Sequence, residues 1–245
     1  MHKRWMAFPI VLALLVAGYF YGAAPSTQVA GPLGPCAHPY YPTKVGSSVT
    51  YATFVGTTPG EYVVTVNENA TGTVTLGYQI KGVQGALTQA IACDPSGNLA
   101  AQSYLDLASA ISGSKFSMQT KSRSGVLLPA DLKVGSEWSA TYDVNVTPED
   151  NPNLQALGIT TINQQVMITR KVVAEERVTV GAGAFDALKV KVTTKVDAAL
   201  SGADPADAIN IETDEWWVKG IGLVKSDSTF NGTRSMMEAS SVHIP

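Results

Sequence analysis

Alternation of apolar and polar residues with a period of two is the feature that most limits what this chain can fold into. Between residues 137 and 146 every even position is apolar or aromatic and every odd position is polar. Residues 188–196 repeat the pattern, with lysines at positions 189, 191 and 195 on the polar side. This period belongs to a strand with one buried and one solvated face, so we expect these lysines to face solvent.

Similar runs predict strands along most of the remaining chain. They cover residues 48–55, 61–66, 72–80, 116–120, 162–180, 221–230 and 236–244. Turn residues separate them, with turns predicted at 58–60, 94–97 and 231–232. Short helices are predicted at 105–111 and 204–208. The pattern predicts an all-β fold, either a curved antiparallel sheet closing into an open barrel or a sandwich.

The first 24 residues predict one N-terminal export helix. Lys3 and Arg4 precede an uncharged, mostly apolar run over residues 5–24, long enough to cross a bilayer as a helix. The run is either a transmembrane anchor or a signal peptide cleaved after residue 24, with Gly22 at position −3. The anchor is favoured because Pro25 would follow the cleaved bond. Both alternatives give the cytoplasmic membrane as a partner of residues 5–24 and place the rest of the chain outside the cytoplasm.

The exported part divides into a tether and a domain. Residues 25–40 are rich in proline and glycine and lack apolar periodicity, which predicts a semi-extended tether before a β-rich domain over 41–245. Within that domain Lys-Val-Gly-Ser occurs at 44–47 and again at 133–136. The repeat predicts a turn followed by a strand, and it indicates either two halves, 41–128 and 129–245, or a coincidence of common residues.

Two cysteines, Cys36 and Cys93, are present in the chain. In an exported protein such a pair predicts a disulfide, which would close a loop of nearly 60 residues and stabilise the fold by about 4 kcal/mol. Lipidation of Cys36 is an alternative that Pro35 disfavours, and two free buried thiols are another. With only His38 and His243 beside them in the exported part, the cysteines predict no zinc site.

Charge and motif content exclude several function classes. A net charge of −3 provides no basic field for a phosphate backbone, so no nucleic-acid partner is expected. The chain has no nucleophile elbow, no His-Glu-x-x-His motif and no P-loop, and a Ser-x-x-Lys match at 112–115 leads into a strand. The paired acids at 175–176 and 214–215 face opposite sides of their strands and are predicted as solvated surface. No catalytic residue, cofactor or metal is predicted.

Three segments carry a family resemblance: 41–46 (Tyr-Pro-Thr-Lys-Val-Gly), 176–190, and 216–225 (Trp-Trp-Val-Lys-Gly-Ile-Gly-Leu-Val-Lys). They resemble the TapB-like bacterial envelope proteins, a group largely of unknown function, over most of residues 41–245. The chain departs from that pattern at Gly181 and Val49. The resemblance implies a β-rich exported domain, similar to half-barrel lipoprotein carriers, without catalytic residues to transfer. Between two strands, Gly181 and Gly183 predict a hairpin turn that needs positive φ.

Aromatic residues on the strands predict a second, more specific role. Trp138, Tyr142, Trp216 and Trp217 could line an apolar cleft, although a role in the core is the simpler interpretation, and the two adjacent tryptophans face opposite sides. The favoured function is a non-enzymatic envelope domain that binds a partner protein or supports surface structure. A carrier or binder of a lipid-like apolar ligand is the first alternative. A hydrolase with an unrecognised site is the second.

Overall fold

Twelve antiparallel strands form one sheet in the part of the chain that the structure describes. The computed structural model describes residues 36–104, 116–148, 160–200 and 208–245. The strands are β1 (Ser48–Val55), β2 (Thr58–Ala70), β3 (Thr73–Ile80), β4 (Leu87–Cys93), β5 (Leu99–Ala101), β6 (Phe116–Gly125), β7 (Glu137–Pro148), β8 (Ile162–Val180), β9 (Gly183–Leu200), β10 (Ile209–Val218), β11 (Gly222–Phe230) and β12 (Thr233–His243).

Three predicted elements fall outside these ranges. The export segment at 5–24 and the helix at 105–111 lie wholly outside the described residues, and of the helix at 204–208 only Ala208 is described. Within the described residues, no helix combines the length and apolar character needed to cross a membrane.

The sheet curls until its two edge strands approach each other. The strand order is β5-β4-β3-β2-β1-β12-β11-β10-β9-β8-β7-β6. The first and last strands in sequence, β1 and β12, are therefore neighbours in the middle of the sheet. At the edges, the N–H of Leu99 in β5 donates to the carbonyl of Leu128 at 2.8 Å, and the N–H of Leu127 donates to Leu99 at 2.7 Å. These bonds join β5 to the segment that directly follows β6 and so bring the two edges together. The predicted all-β antiparallel fold, in its open-barrel form, is confirmed.

Strand periodicity places the core inside the barrel. β8 has the predicted bounds, and over most of its length buried and exposed residues alternate. Lysines 189 and 191 of β9 lie outside, where both pair with Asp214 at 3.0 and 2.9 Å, and Lys195 pairs with Asp197 at 2.8 Å. The predicted solvated face of β9 is therefore confirmed.

The turns at 94–97 and 231–232 are confirmed, whereas the turn predicted at 58–60 is wrong. Asn231 and Gly232 have φ values of 47° and 77°, as a two-residue hairpin of type I′ requires. Residues 58–60 belong to β2 and pair with residues 53–55 of β1, and the turn lies before them at Gly56, whose φ is 59°. Pro59 is tolerated because it stands at the start of the strand, where a missing N–H costs little.

Gly181 has a different role from the one predicted. Gly183 has a positive φ of 138°, but Gly181 does not. A Cβ at position 181 would lie 3.2 Å from the Cα of Ser240 in β12, and the N–H of Ala182 donates to the carbonyl of Ala239 at 2.8 Å. Gly181 therefore lets the β8–β9 hairpin approach β12 closely, because a side chain there would push the two backbones apart.

The two Lys-Val-Gly-Ser segments form the same turn. At 44–47 and at 133–136 the serine N–H donates to the lysine carbonyl, at 3.0 and 2.9 Å, and the glycine φ is 86° and 90°. Each glycine N–H also donates at 2.9 Å to a valine carbonyl, that of Val66 in β2 or Val172 in β8. A β-bulge follows each valine. The sequence repeat is thus a repeat of backbone geometry, and duplication of a half-domain stays a prediction.

Residues 36–40 belong to the folded domain. Cys36 is only 3% exposed and forms the predicted disulfide with Cys93. The N–H of Gly220 donates to the carbonyl of Pro39 at 2.7 Å. The domain therefore begins no later than Cys36, five residues before the predicted boundary at 41, because the disulfide fixes this segment against the barrel.

Trp138→Ala is expected to lower the free energy of unfolding by about 3–5 kcal/mol, because it leaves a cavity in the core. Trp138 is 8% exposed, and its Nε1 donates to the carbonyl of Leu127 at 2.8 Å. Trp138→Phe, which keeps most of the volume, should cost roughly 1–3 kcal/mol. Urea unfolding measures both losses. A change within about 0.5 kcal/mol for the alanine variant would contradict the core assignment.

Replacing both cysteines with serine is expected to lower the free energy of unfolding by about 4 kcal/mol, because the unfolded chain regains the freedom of a long loop. Urea unfolding of oxidised wild type and of the variant measures the difference. Intact mass after alkylation is the control, since the wild type should accept alkyl groups only after reduction. Modification of both thiols without reductant would show that the disulfide is absent.

Candidate functional site

A chamber of about 210 Å³ lies inside the barrel. Inward-facing residues of β1–β3 and β8–β12 line it. The volume is smaller than the roughly 300–1,000 Å³ of pockets for drug-sized molecules, and it corresponds to about seven water molecules at ~30 Å³ each. A small molecule or a single narrow chain fits such a space, and a bulky ring system does not.

One wall of the chamber is apolar and aromatic. It is formed by β1–β3 and includes Val49, Tyr51, Tyr62, Val64, Val66, Leu76 and Tyr78. Tyr51 and Tyr62 are cross-strand partners whose rings stack with centroids 5.1 Å apart. Burial raises the pKa of both phenols, which therefore stay neutral. The Tyr51 hydroxyl donates to the carbonyl of Leu223 at 2.7 Å, so this wall presents mainly ring faces and aliphatic groups.

The adjoining wall, formed by β10–β12, carries hydroxyl groups. Cross-strand register places Ser235 of β12 opposite Ser228 of β11, and Ser228 opposite Thr213 of β10. We call these three residues the hydroxyl row. Ser226 and Glu215, also cross-strand partners, lie two residues further along β11 and β10. All five line the chamber.

A buried ion pair adjoins the hydroxyl row. Arg170 of β8 and Glu215 have side chains only 1% and 4% exposed, and the arginine Nε donates to the glutamate Oε2 at 3.4 Å. Nε1 of Trp217 donates to the same oxygen at 2.8 Å. A buried ion pair seldom stabilises a fold more than apolar residues of the same volume would. We therefore attribute the ion pair to a role in the chamber and not to stabilisation of the core.

Residues 36–42, which we call the strap, cover the barrel end where β1 begins and β10 ends. Tyr41 and Pro42 line the chamber from this side. Nε2 of His38 donates to the carbonyl of Pro129 at 2.9 Å, and its Nδ1 accepts from the N–H of Tyr40 at 3.1 Å. Burial lowers the pKa of His38, so the neutral ring holds the strap in place.

The chamber reaches the surface at the other barrel end. Val55, the last residue of β1, lines the chamber and is also 39% exposed. Ser235 of the hydroxyl row is its cross-strand partner. Phe54 beside it is exposed on the outer face of the barrel. We call this end the mouth.

The structure places the four predicted ligand residues in different environments. Among the described residues that line the chamber, Trp217 is present and Trp138, Tyr142 and Trp216 are not. Tyr142 packs against Tyr104, which does line it, with ring centroids 5.8 Å apart, and burial raises the pKa of Tyr142 to about 12.

Trp216 faces outward, opposite to Trp217 as predicted. The Nζ atoms of Lys189 and Lys225 lie 5.0 and 5.5 Å from the centre of its ring, and its Nε1 donates to Glu176 at 2.6 Å. Ligand binding by any of the four predicted residues stays a prediction.

Two charged chamber residues were not among the predicted site residues. The pair at 214–215 is predicted as solvated surface, which is wrong for Glu215 because its strand position points it into the barrel. Strand alternation alone indicates that Arg170 faces the interior, since Arg170 stands between inward-facing Ile168 and Val172. In the described ranges no three side chains of His, Cys, Asp or Glu converge as a metal site would require.

Comparison with known proteins gives a family and a fold. The family model described as DUF3108-like matches residues 62–241. No curated protein matches the chain in sequence. An inferred exported protein with a YmcC-like fold from Bacteroides fragilis has 16% identity and a TM-score of 0.57, covering 85% of this chain and 100% of its own. An inferred lipoprotein from Parabacteroides distasonis has 15% identity and a TM-score of 0.55, covering 85% and 99%. At these identities the likeness shows the fold.

Glu215→Leu is expected to lower the free energy of unfolding by about 3–5 kcal/mol, because Arg170 then stays buried without this carboxylate. The double variant Arg170→Met with Glu215→Leu should lose less than the single variant, because no charge then remains buried at the pair. Urea unfolding of the three proteins gives both differences. A double variant less stable than Glu215→Leu would contradict this account of the pair.

Proposed function

The chain belongs to the DUF3108-like family, and from that premise and the chamber we propose that it is a non-enzymatic envelope protein that binds an apolar, lipid-like ligand inside its barrel. The observation that carries the proposal is a chamber with one apolar wall, one hydroxyl-bearing wall and a mouth. A barrel that served only as surface structure would need no such space. The chamber therefore favours the ligand carrier among the three predicted functions.

The dimensions of the chamber support a single chain as the ligand. About seven methylene groups would fill 210 Å³ if each takes roughly the ~30 Å³ of a water molecule. At about 0.8 kcal/mol per buried methylene, they would contribute about 6 kcal/mol before the cost of association. Micromolar affinity needs about 8 kcal/mol, so apolar contact alone falls short and polar contacts must supply the remainder.

The state of the polar residues supports binding over catalysis. Among the described residues that line the chamber, Glu215 alone has a carboxylate side chain. Arg170 and Trp217 both donate hydrogen bonds to it. His38 lies in the strap, with both ring nitrogens bonded to backbone groups. An activated nucleophile needs an adjacent base, and the described lining residues include neither histidine nor a free cysteine. We therefore propose a binding protein and not a hydrolase.

An extracytoplasmic location is part of the proposal. The disulfide between Cys36 and Cys93 is of the kind that persists in oxidising compartments. The uncharged run at 5–24 supports a membrane anchor, with the β domain held at the outer side of the cytoplasmic membrane. The descriptions of the two structural relatives, one exported and one a lipoprotein, agree with this location, as does the resemblance to TapB-like proteins.

Native mass spectrometry of the full chain purified from membranes tests the proposed function. The expected result is a mass above that of the polypeptide, with a lipid-like molecule released on denaturation. Val64→Phe fills the chamber and should reduce the ligand-bound fraction, because Val64 lines the chamber. Val63→Phe is the matched control on the outward face of the same strand and should leave that fraction unchanged. A wild-type mass equal to the bare polypeptide would overturn the proposal.

A further inference from the structure

The hydroxyl row and the ion pair carry an inference about the head group of the ligand, and this inference rests on the proposed function. We propose that the ligand is a single-chain amphiphile whose uncharged, hydroxyl-bearing head group binds the hydroxyl row. The residues that would hold the head group are Thr213, Ser226, Ser228 and Ser235.

The hydroxyl row forms one continuous polar surface. Thr213, Ser228 and Ser235 occupy facing positions on three adjacent strands. Cross-strand neighbours lie about 5 Å apart, so the row extends over roughly 10 Å of the chamber wall. Each hydroxyl both donates and accepts hydrogen bonds. The Ser228 hydroxyl donates to the carbonyl of Ser235 at 3.5 Å, a long bond that leaves its oxygen able to accept one from a ligand. A row of this kind suits a head group with several hydroxyls.

The order of inward residues along β10 and β11 places the hydroxyl row on the mouth side of the ion pair. Ile211 lies nearest the mouth, the partners Thr213 and Ser228 follow, Glu215 and Ser226 come next, and the partners Trp217 and Leu223 come last. From Thr213 to Trp217 the strand spans about 13 Å. A Cβ at Gly222 would lie 3.0 Å from Cδ of Pro42, which places the strap directly beyond. A head group bound at the hydroxyl row therefore lies nearer the mouth than the ion pair does.

The ion pair argues that the head group carries no charge. Arg170 and Glu215 are both buried at the chamber wall, and their charges cancel. A charged head group would lose its hydration without gaining a buried counter-charge, because each member of the pair already faces the other. An uncharged head group avoids this cost and still bonds to the hydroxyl row.

Three ligands of equal chain length, short enough for the chamber, test the inference on delipidated full-length protein: 1-hexanoylglycerol, hexanoate at pH 8, and hexane. Native mass spectrometry in competition ranks their affinities. We expect 1-hexanoylglycerol to bind at least tenfold more tightly than hexanoate or hexane, a ratio that corresponds to about 1.4 kcal/mol. Hexanoate or hexane binding as tightly as the glycerol ester would overturn the inference and leave the proposed function intact. Failure of all three ligands to bind would overturn the proposed function as well.

Variants of the hydroxyl row separate head-group recognition from shape. Thr213→Val with Ser228→Ala removes two hydroxyls with little change of volume and should weaken binding of 1-hexanoylglycerol about tenfold while sparing hexane. The matched control is Thr193→Val with Thr229→Ala, whose residues lie at outward positions of β9 and β11. Circular dichroism of each variant confirms the strand content. Equal affinity of wild type and the hydroxyl-row variant for the ester would overturn the inference.

Discussion

Cross-strand register is the constraint on which the fold, the chamber and the polar wall all depend. A slip of one residue between two strands would turn every side chain of one strand to the opposite face. In this barrel such a slip would move Ser228 out of line with Thr213 and Ser235 and would place Lys191 in the core. The two equivalent turns, each bonded to a valine that precedes a bulge, fix the register on both sides of the barrel.

Periodicity makes the sheet predictable but does not identify which residues line the chamber. The bounds of β8 and the outward lysines of β9 follow from local alternation, because each strand has one wet face. β4 and β5 lack a clear alternation and were not predicted. The sequence predicts Asp214 and Glu215 as solvated surface. In the barrel Asp214 pairs with surface lysines, whereas Glu215 is buried inside. The chamber itself depends on bonds between residues far apart in sequence, such as Leu99 and Leu128.

The interior shows a balance between stability and unfilled space. A closed, empty cavity of 210 Å³ would cost about 5 kcal/mol at roughly 24 cal/mol per Å³, which is an upper bound for this chamber because its mouth admits water. The disulfide between Cys36 and Cys93 offsets a loss of that order, since it contributes about 4 kcal/mol by restricting the unfolded chain. It also fixes the strap that closes the apolar end of the chamber. One covalent bond therefore both compensates for the cavity and shapes it.

The pairing of β1 with β12 has a consequence for how the protein reaches its native state. Ser48 pairs with His243, so the central seam of the sheet joins nearly the two ends of the domain. Contacts between such distant residues form slowly, because the entropy of a very long loop must be lost first. Strands are made in order from the N-terminus, so β1 has a vacant edge until β12 has been synthesised. The nascent chain thus exposes this edge of β1 during nearly all of its synthesis, and the chamber can close only after β12 has paired with β1.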